Sequence, residues 1–296
     1  MTRQLELLVN GVSLGLLYAL ITLGFVIVFK ATRVVNFAHA SFLLLGVYVV
    51  AATQPKIGFA AAALLGLGVA GALGLATERL LTSRIDRHDH HAMALATIGL
   101  NVVLTAELTR RLEERVLPLG APWDGHVVDV GPLSLPLTVV ITVVAVPVLI
   151  GGLTALLTFT GWGLAMRASI ADAEGAALVG IRLRRVSATA WLMAGLLATI
   201  AGIGLASFPS PGVSVSLETV AITAFPAAII GGFDSLGGAI AGGLIVGVVQ
   251  VLVNGHQGSL DFLGLGVGDV VAYLVMIVVL LWRPSGLFGS KEFSRV

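Results

Sequence analysis

The stretch LLVNGVSLGLLYALITLGFVIVF, residues 7–29, decides what kind of protein this is. It carries no charged side chain and exceeds the ~20 apolar residues that cross a ~30 Å hydrocarbon layer. Arg3 and Glu6 precede it. The run is longer than a signal-peptide core and no small-x-small cleavage pattern closes it, so it reads as a retained first transmembrane helix. Comparable runs follow at 34–53, 57–81, 92–112, 133–159, 186–208, 236–254 and 262–282. One further apolar stretch, 217–232, is too short to cross comfortably. It contains Pro226 and ends at Gly231-Gly232, and both residue types break helices. It reads as a half-helix or re-entrant segment with a turn at Gly232-Phe233-Asp234-Ser235. The expected fold is all-α: a polytopic transmembrane bundle of about eight spanning helices plus one short or re-entrant half-helix. Residues 1–296 form a single membrane domain, with a cytoplasmic loop at 161–185.

The composition agrees. Hydrophobic residues make up 57% of the 296 and charged residues 11%, against roughly 25% charged in a soluble domain. Mean hydropathy is +1.02. The 37 glycines fall mostly inside apolar runs, where close helix packing is their use. Cysteine is absent, which removes disulfides, thiolate nucleophiles and Cys-based metal sites. A net charge of +1 offers no basic surface for nucleic acid.

Lys and Arg set the orientation. With 161–185 inside and 217–232 reaching across, twelve of the 17 positive residues fall inside: Lys30, Arg33, Arg79, Arg84, Arg87, Arg167, Arg182, Arg184, Arg185, Arg283, Lys291 and Arg295. Arg3, Lys56, Arg110, Arg111 and Arg115 fall outside. The N-terminus is expected outside and the C-terminus inside.

Motifs for chemistry are scarce. No G-x-x-x-x-G-K-[ST] phosphate cradle occurs, nor H-E-x-x-H, and the letters G-x-S-x-G at Gly11-Val12-Ser13-Leu14-Gly15 lie inside the first apolar run rather than at a strand-to-helix turn. Gly66-Leu67-Gly68-Val69-Ala70-Gly71 fits G-x-G-x-x-G but sits within an apolar helix, so it reads as a packing face; Gly11/Gly15, Gly238/Gly242 and Gly243/Gly247 read alike. His88-Asp89-His90-His91 reads as a solvated turn rather than a metal cluster. No metal and no cofactor are expected. Asn36, Phe37, His39 and Ser41 follow Lys30 and Arg33 directly; they read either as a polar helix start or as an interrupted helix lining a cavity. With Pro226, Gly231, Gly232 and Ser235 they form the candidate pathway or helix break. Glu218 and Asp269 read as first-turn carboxylates that favour a helix N-terminus. In the 161–185 loop, 169–179 reads as one short helix capped by Ser169, charged in its first turn by Asp172 and stopped by Gly180.

Several of these pieces occur together in one known family. The chain resembles the permease subunits of branched-chain amino acid ABC transporters. Asn10-Gly11-Val12-Ser13-Leu14-Gly15 is similar to that family's opening helix, and Val35-Asn36-Phe37-Ala38-His39-Ala40 to its I-N-F-A-H-G signature. Residues 163–181 resemble its cytoplasmic G-R-A-x-R-A … A-x-x-x-G-I segment, and 227–243 its G-G-x-G-S-x-x-G-A stretch. Arg283-Pro284-Ser285-Gly286-Leu287-Phe288-Gly289 is similar to its terminal R-P-x-G-L-x-G. Leu164, Ala40 and Asp234 depart from the pattern, standing where the family usually has Arg, Gly and Gly. The resemblance implies an importer in a bacterial-type inner membrane, with a second permease subunit, two cytoplasmic ATP-binding subunits that hydrolyse ATP, and an external substrate-binding protein. It implies that the loop helix couples to the ATPases through Arg167, Ser169, Asp172, Glu174, Gly175 and Gly180. The other reading is a self-sufficient channel or secondary carrier for a small neutral solute.

Overall fold

The computed structural model describes residues 2–85, 89–113, 115–131, 133–209, 211–257 and 267–289. Arg87, His88, Lys291, Arg295 and the 262–266 part of the last expected span lie outside them. The described residues form a helical membrane bundle. Seven helices are long and apolar enough to cross a membrane: α1 Thr2–Thr32, α2 His39–Ile57, α3 Phe59–Leu80, α4 His90–Leu112, α5 Leu137–Phe159, α8 Leu183–Leu205 and α11 Leu236–Gly255. Between them lie the short helices α6 Gly161–Ala171, α7 Ala173–Leu178, α9 Ser216–Thr223 and α10 Phe225–Gly231, and α12 Val267–Trp282 follows.

α1 is the axis of the bundle. Every residue from Ser13 to Val28 is buried, as expected of a helix that is apolar all round. α11 lies antiparallel to it along its whole length. Arg3 donates to the Gly255 carbonyl at 2.9 Å at one end, and Lys30 Nζ to the Asp234 carbonyl at 2.6 Å at the other. Glycine makes this approach possible. A Cβ on Gly15 would lie 2.8 Å from Leu244 Cα, and one on Gly11 2.9 Å from Val248 Cα. From α11, Gly243 and Gly247 back onto Ala19 and Gly15. In a bilayer, packing of this kind holds helices together because lipid is as apolar as leucine. Gly66 and Gly71 of the G-x-G-x-x-G stretch also pack, against Gly46 and Val50 and against Leu192, whereas Gly68 faces open space. By contrast α4 and α5 turn Val102, Val103, Val144 and Val148 outward.

The ends of the helices define two faces. At one, Arg33 reaches towards the Ile170 carbonyl, and Leu287 and Phe288 donate to Ile230 and Gly231. At the other, Leu117 and Val213 bridge, and Gln54 donates to the Gly120 carbonyl. A two-stranded hairpin, β1 Val127–Val130 with β2 Leu133–Pro136, stands on this second face. The sequence reading carried 133–159 as one helix; the alternation Leu133-Ser134-Leu135-Pro136 belongs to the strand instead, and α5 begins at Leu137.

The stretch 217–232 crosses rather than dips. It starts near the Leu117–Val213 bridge and ends against residues 285–289 at the opposite face, as α9 and α10 with a break at Ala224. Pro226 sits in the first turn of α10, where a missing N–H leaves no hydrogen bond unmade. Gly232 follows at φ +95°, a conformation that L side chains resist. Ser235 then caps α11 by accepting from Gly238 N at 3.0 Å.

Candidate functional site

The break before α2 and the break between α9 and α10 meet. Residues 34–38 are not helical, so the run read as 34–53 begins at His39. Asn36 and His39 are fully buried there. Asn36 Oδ1 accepts from Ala38 N at 3.0 Å, which sets the turn, while its Nδ2 is enclosed with no hydrogen-bond partner among the described residues. His39 packs over Gly24, where a Cβ would meet the imidazole. Its ring lies 4.6 Å from that of Phe25. Among the described residues neither ring nitrogen finds a hydrogen bond of good geometry, although the Ile21 carbonyl approaches the ring. From the other break comes Phe225, with ring centroids 5.6 Å from Phe25, 5.9 Å from Phe37 and 5.7 Å from Phe233. Phe233 in turn lies 5.3 Å from Phe29. These phenylalanines lead from the break to an open cavity of about 1030 Å³ at the face of residues 283–289, lined among others by Phe29, Arg33, Gly232, Phe233 and Arg283.

A carboxylate stands beside them. Glu218 is 7% exposed. It stands in the first turn of α9, as expected, without capping it: the N-cap is Val215, with no side-chain cap hydrogen bond. Instead it reaches across to α4, where Asn101 Nδ2 donates to Oε1 at 2.9 Å and Thr105 Oγ1 at 2.8 Å. Asn101 stands midway along α4, about 16 Å from either end at ~1.5 Å per residue. Thr97, one turn before it, accepts from Phe37 N at 3.2 Å and so ties α4 to the other break. Thr97, Asn101 and Thr105 were passed over in the sequence. Their four-residue spacing puts three polar groups on one side of an apolar helix, which was the available signal. Asp269 likewise bonds across helices, accepting from Gln250 Nε2 at 2.7 Å while Tyr18 donates to Gln250 Oε1 at 2.8 Å.

The 161–185 loop folds as two helices rather than one. Ser169 lies inside α6 and turns its hydroxyl back to the Met166 carbonyl, so it caps nothing. Asp172 is the cap of α7, accepting from Gly175 N at 3.0 Å, with Glu174 in the first turn. Gly180, at φ +88°, closes it: Gly180 N bonds to Ala177 O and Ile181 N to Ala176 O, the paired pattern of a glycine-ended helix. Arg167 is turned inward onto the Leu157 and Thr158 carbonyls. Alongside the exposed Glu174, α7 and its C-cap present two large apolar side chains, Leu178 and Val179, 89% and 78% exposed.

Known proteins place this architecture. The family described as branched-chain amino acid transport system, permease component, matches residues 7–280. The high-affinity branched-chain amino acid transport system permease protein LivH of Escherichia coli K12 is 30% identical, covering 99% of this chain and 97% of its own. BraD of Pseudomonas aeruginosa, of the same description, is 29% identical over 99% and 98%. A probable LivH of Methanocaldococcus jannaschii is 29% identical over 95% and 91%. Among solved structures, PsaBC from Streptococcus pneumoniae in complex with Fab aligns over 95% of this chain and 91% of that one, at 13% identity and a TM-score of 0.47. Matched along nearly its whole length, the chain belongs to the family of permease components of branched-chain amino acid transport systems.

Proposed function

We propose that the chain is the membrane-spanning permease of an ATP-driven importer and forms a wall of the pathway for branched-chain, aliphatic amino acids or related small solutes. The observation that carries this reading is the Glu218 carboxylate, held at the middle of α4 beside an interrupted crossing. Irregular backbone and a charge at that depth persist only where they face protein or water. The phenylalanine run from Phe37 to Phe29 suits passage of an aliphatic side chain. The pathway set is therefore Asn36, Phe37, His39 and the break around Pro226, Gly231, Gly232 and Ser235, joined by Glu218 and Phe225.

ATP hydrolysis belongs, in this reading, to two separate cytoplasmic subunits. A second permease and an external binding protein complete the assembly. Residues 161–185 form the coupling element. Asp172, Glu174, Gly175 and Gly180 shape α7, Leu178 and Val179 supply its apolar contact, and Arg167 and Ser169 fix α6 beneath it. The face carrying Lys30, Arg33, Arg79, Arg84, Arg182, Arg184, Arg185 and Arg283 is the cytoplasmic one, which puts the C-terminus inside. Isolation in mild detergent with mass spectrometry of copurifying chains and bound solute tests the assembly. The expected result is a second permease, an ATP-binding subunit and an aliphatic amino acid. Recovery of this chain alone, with a different solute, would overturn it.

A further inference from the structure

We infer that Glu218 is the group that receives the ammonium of the transported amino acid, through its Oε2 oxygen. This rests on the reading of the chain as an aliphatic amino acid pathway. Both hydrogen bonds to the carboxylate land on Oε1. Oε2 accepts none among the described residues, yet it is not one of the sealed, partnerless polar atoms. Nor does any Lys, Arg or His of the described residues form an ion pair with Glu218. Buried carboxylates are ordinarily paired, because an isolated charge at low dielectric is costly. Glu218 is thus oriented by two neutral donors and keeps its capacity for one cation.

Its surroundings fit the rest of such a molecule. Ile222, one turn further along the same side of α9, is 44% exposed, and Ile98, one turn before Asn101 on α4, is 41% exposed. Phe37, tied to this side of α4 through Thr97, is also open. A carboxylate oxygen beside aliphatic and aromatic surface matches an ammonium next to a branched hydrocarbon side chain. Asn101 and Thr105 are positioning residues, since they act through the carboxylate.

Two experiments test this in the complete transporter in proteoliposomes. Glu218→Gln keeps an oxygen that accepts from Asn101 and Thr105 but removes the charge. Leucine uptake is expected to fall about tenfold or more, the scale of one charge-assisted contact, with Glu218→Gln keeping wild-type thermal stability, while Glu218→Asp, which keeps the charge, loses less uptake than Glu218→Gln. Uptake by Glu218→Gln within about twofold of wild type, well short of one such contact, would overturn the inference. The second uses wild-type protein and an apolar carbodiimide, read by mass spectrometry of the Glu218 peptide. Leucine is expected to protect Glu218 from labelling and 4-methylpentanoate, which lacks only the amino group, is not. Equal protection by both, protection by sodium in place of leucine, or no labelling at all would each overturn it. A wild-type complex that carries some other solute and not leucine would instead overturn the functional reading beneath it.

Discussion

Asn101, midway along α4, donates to Glu218 on the interrupted crossing at 2.9 Å. This bond fixes a carboxylate beside the middle of α4 and joins a long apolar helix to a short one. Asn101→Leu should leave Glu218 with Thr105 alone. Loss of one hydrogen bond to a buried charged group corresponds to about 1–3 kcal/mol. We expect a lower melting temperature in detergent and reduced uptake, with Asn101→Gln milder in both. Unchanged stability in Asn101→Leu would separate the two helices energetically.

The α1–α11 seam makes a sharper demand. Gly15→Val would drive its side chain into the backbone at Leu244 Cα, 2.8 Å from the new Cβ. Overpacking of this kind is destabilising by about 1–3 kcal/mol and more where backbone must move. Poor yield of folded protein by size-exclusion chromatography is expected. Gly68→Ala is the control: nothing lies within 4 Å of its added Cβ, and replacing a helical glycine gains up to about 1 kcal/mol.

His39 and Gly24 form a pair in which one fills the space the other leaves. Gly24→Ala alone should lower the melting temperature. Combining it with His39→Ala should recover part of that loss, giving a coupling energy of about 0.5–3 kcal/mol in a double-mutant cycle. Strict additivity would mean that the imidazole and the glycine are independent.

Asp172→Ala removes the cap of α7, a change of about 1 kcal/mol for such a residue. Hydrogen exchange should rise at residues 173–178 while the spanning helices keep their protection. In the assembled transporter, solute carried per ATP hydrolysed should fall. A normal ratio would argue that α7 is not the coupling element.

Much of the bundle could be read from sequence because long apolar runs report burial or lipid directly, and glycine spacing reports close packing. The tie of 217–232 to the C-terminal Arg283-Pro284-Ser285-Gly286-Leu287 turn could not, because it is a contact between two short segments with no shared periodicity. Glu218 was legible as a first-turn carboxylate of a short helix, but its burial was not, because its partner lies 117 residues away on α4. Ser169 and Asp172 are both good caps, and only the break between α6 and α7 chose Asp172. The hairpin at 127–136 was hidden because its second strand merges into the apolar start of α5.

The most direct measurement is solute uptake in proteoliposomes holding this chain, its copurifying subunits and a binding protein. We predict that uptake of leucine, isoleucine or valine requires both ATP inside the cytoplasmic face and loaded binding protein outside. Uptake by this chain alone, running without ATP, would contradict the account.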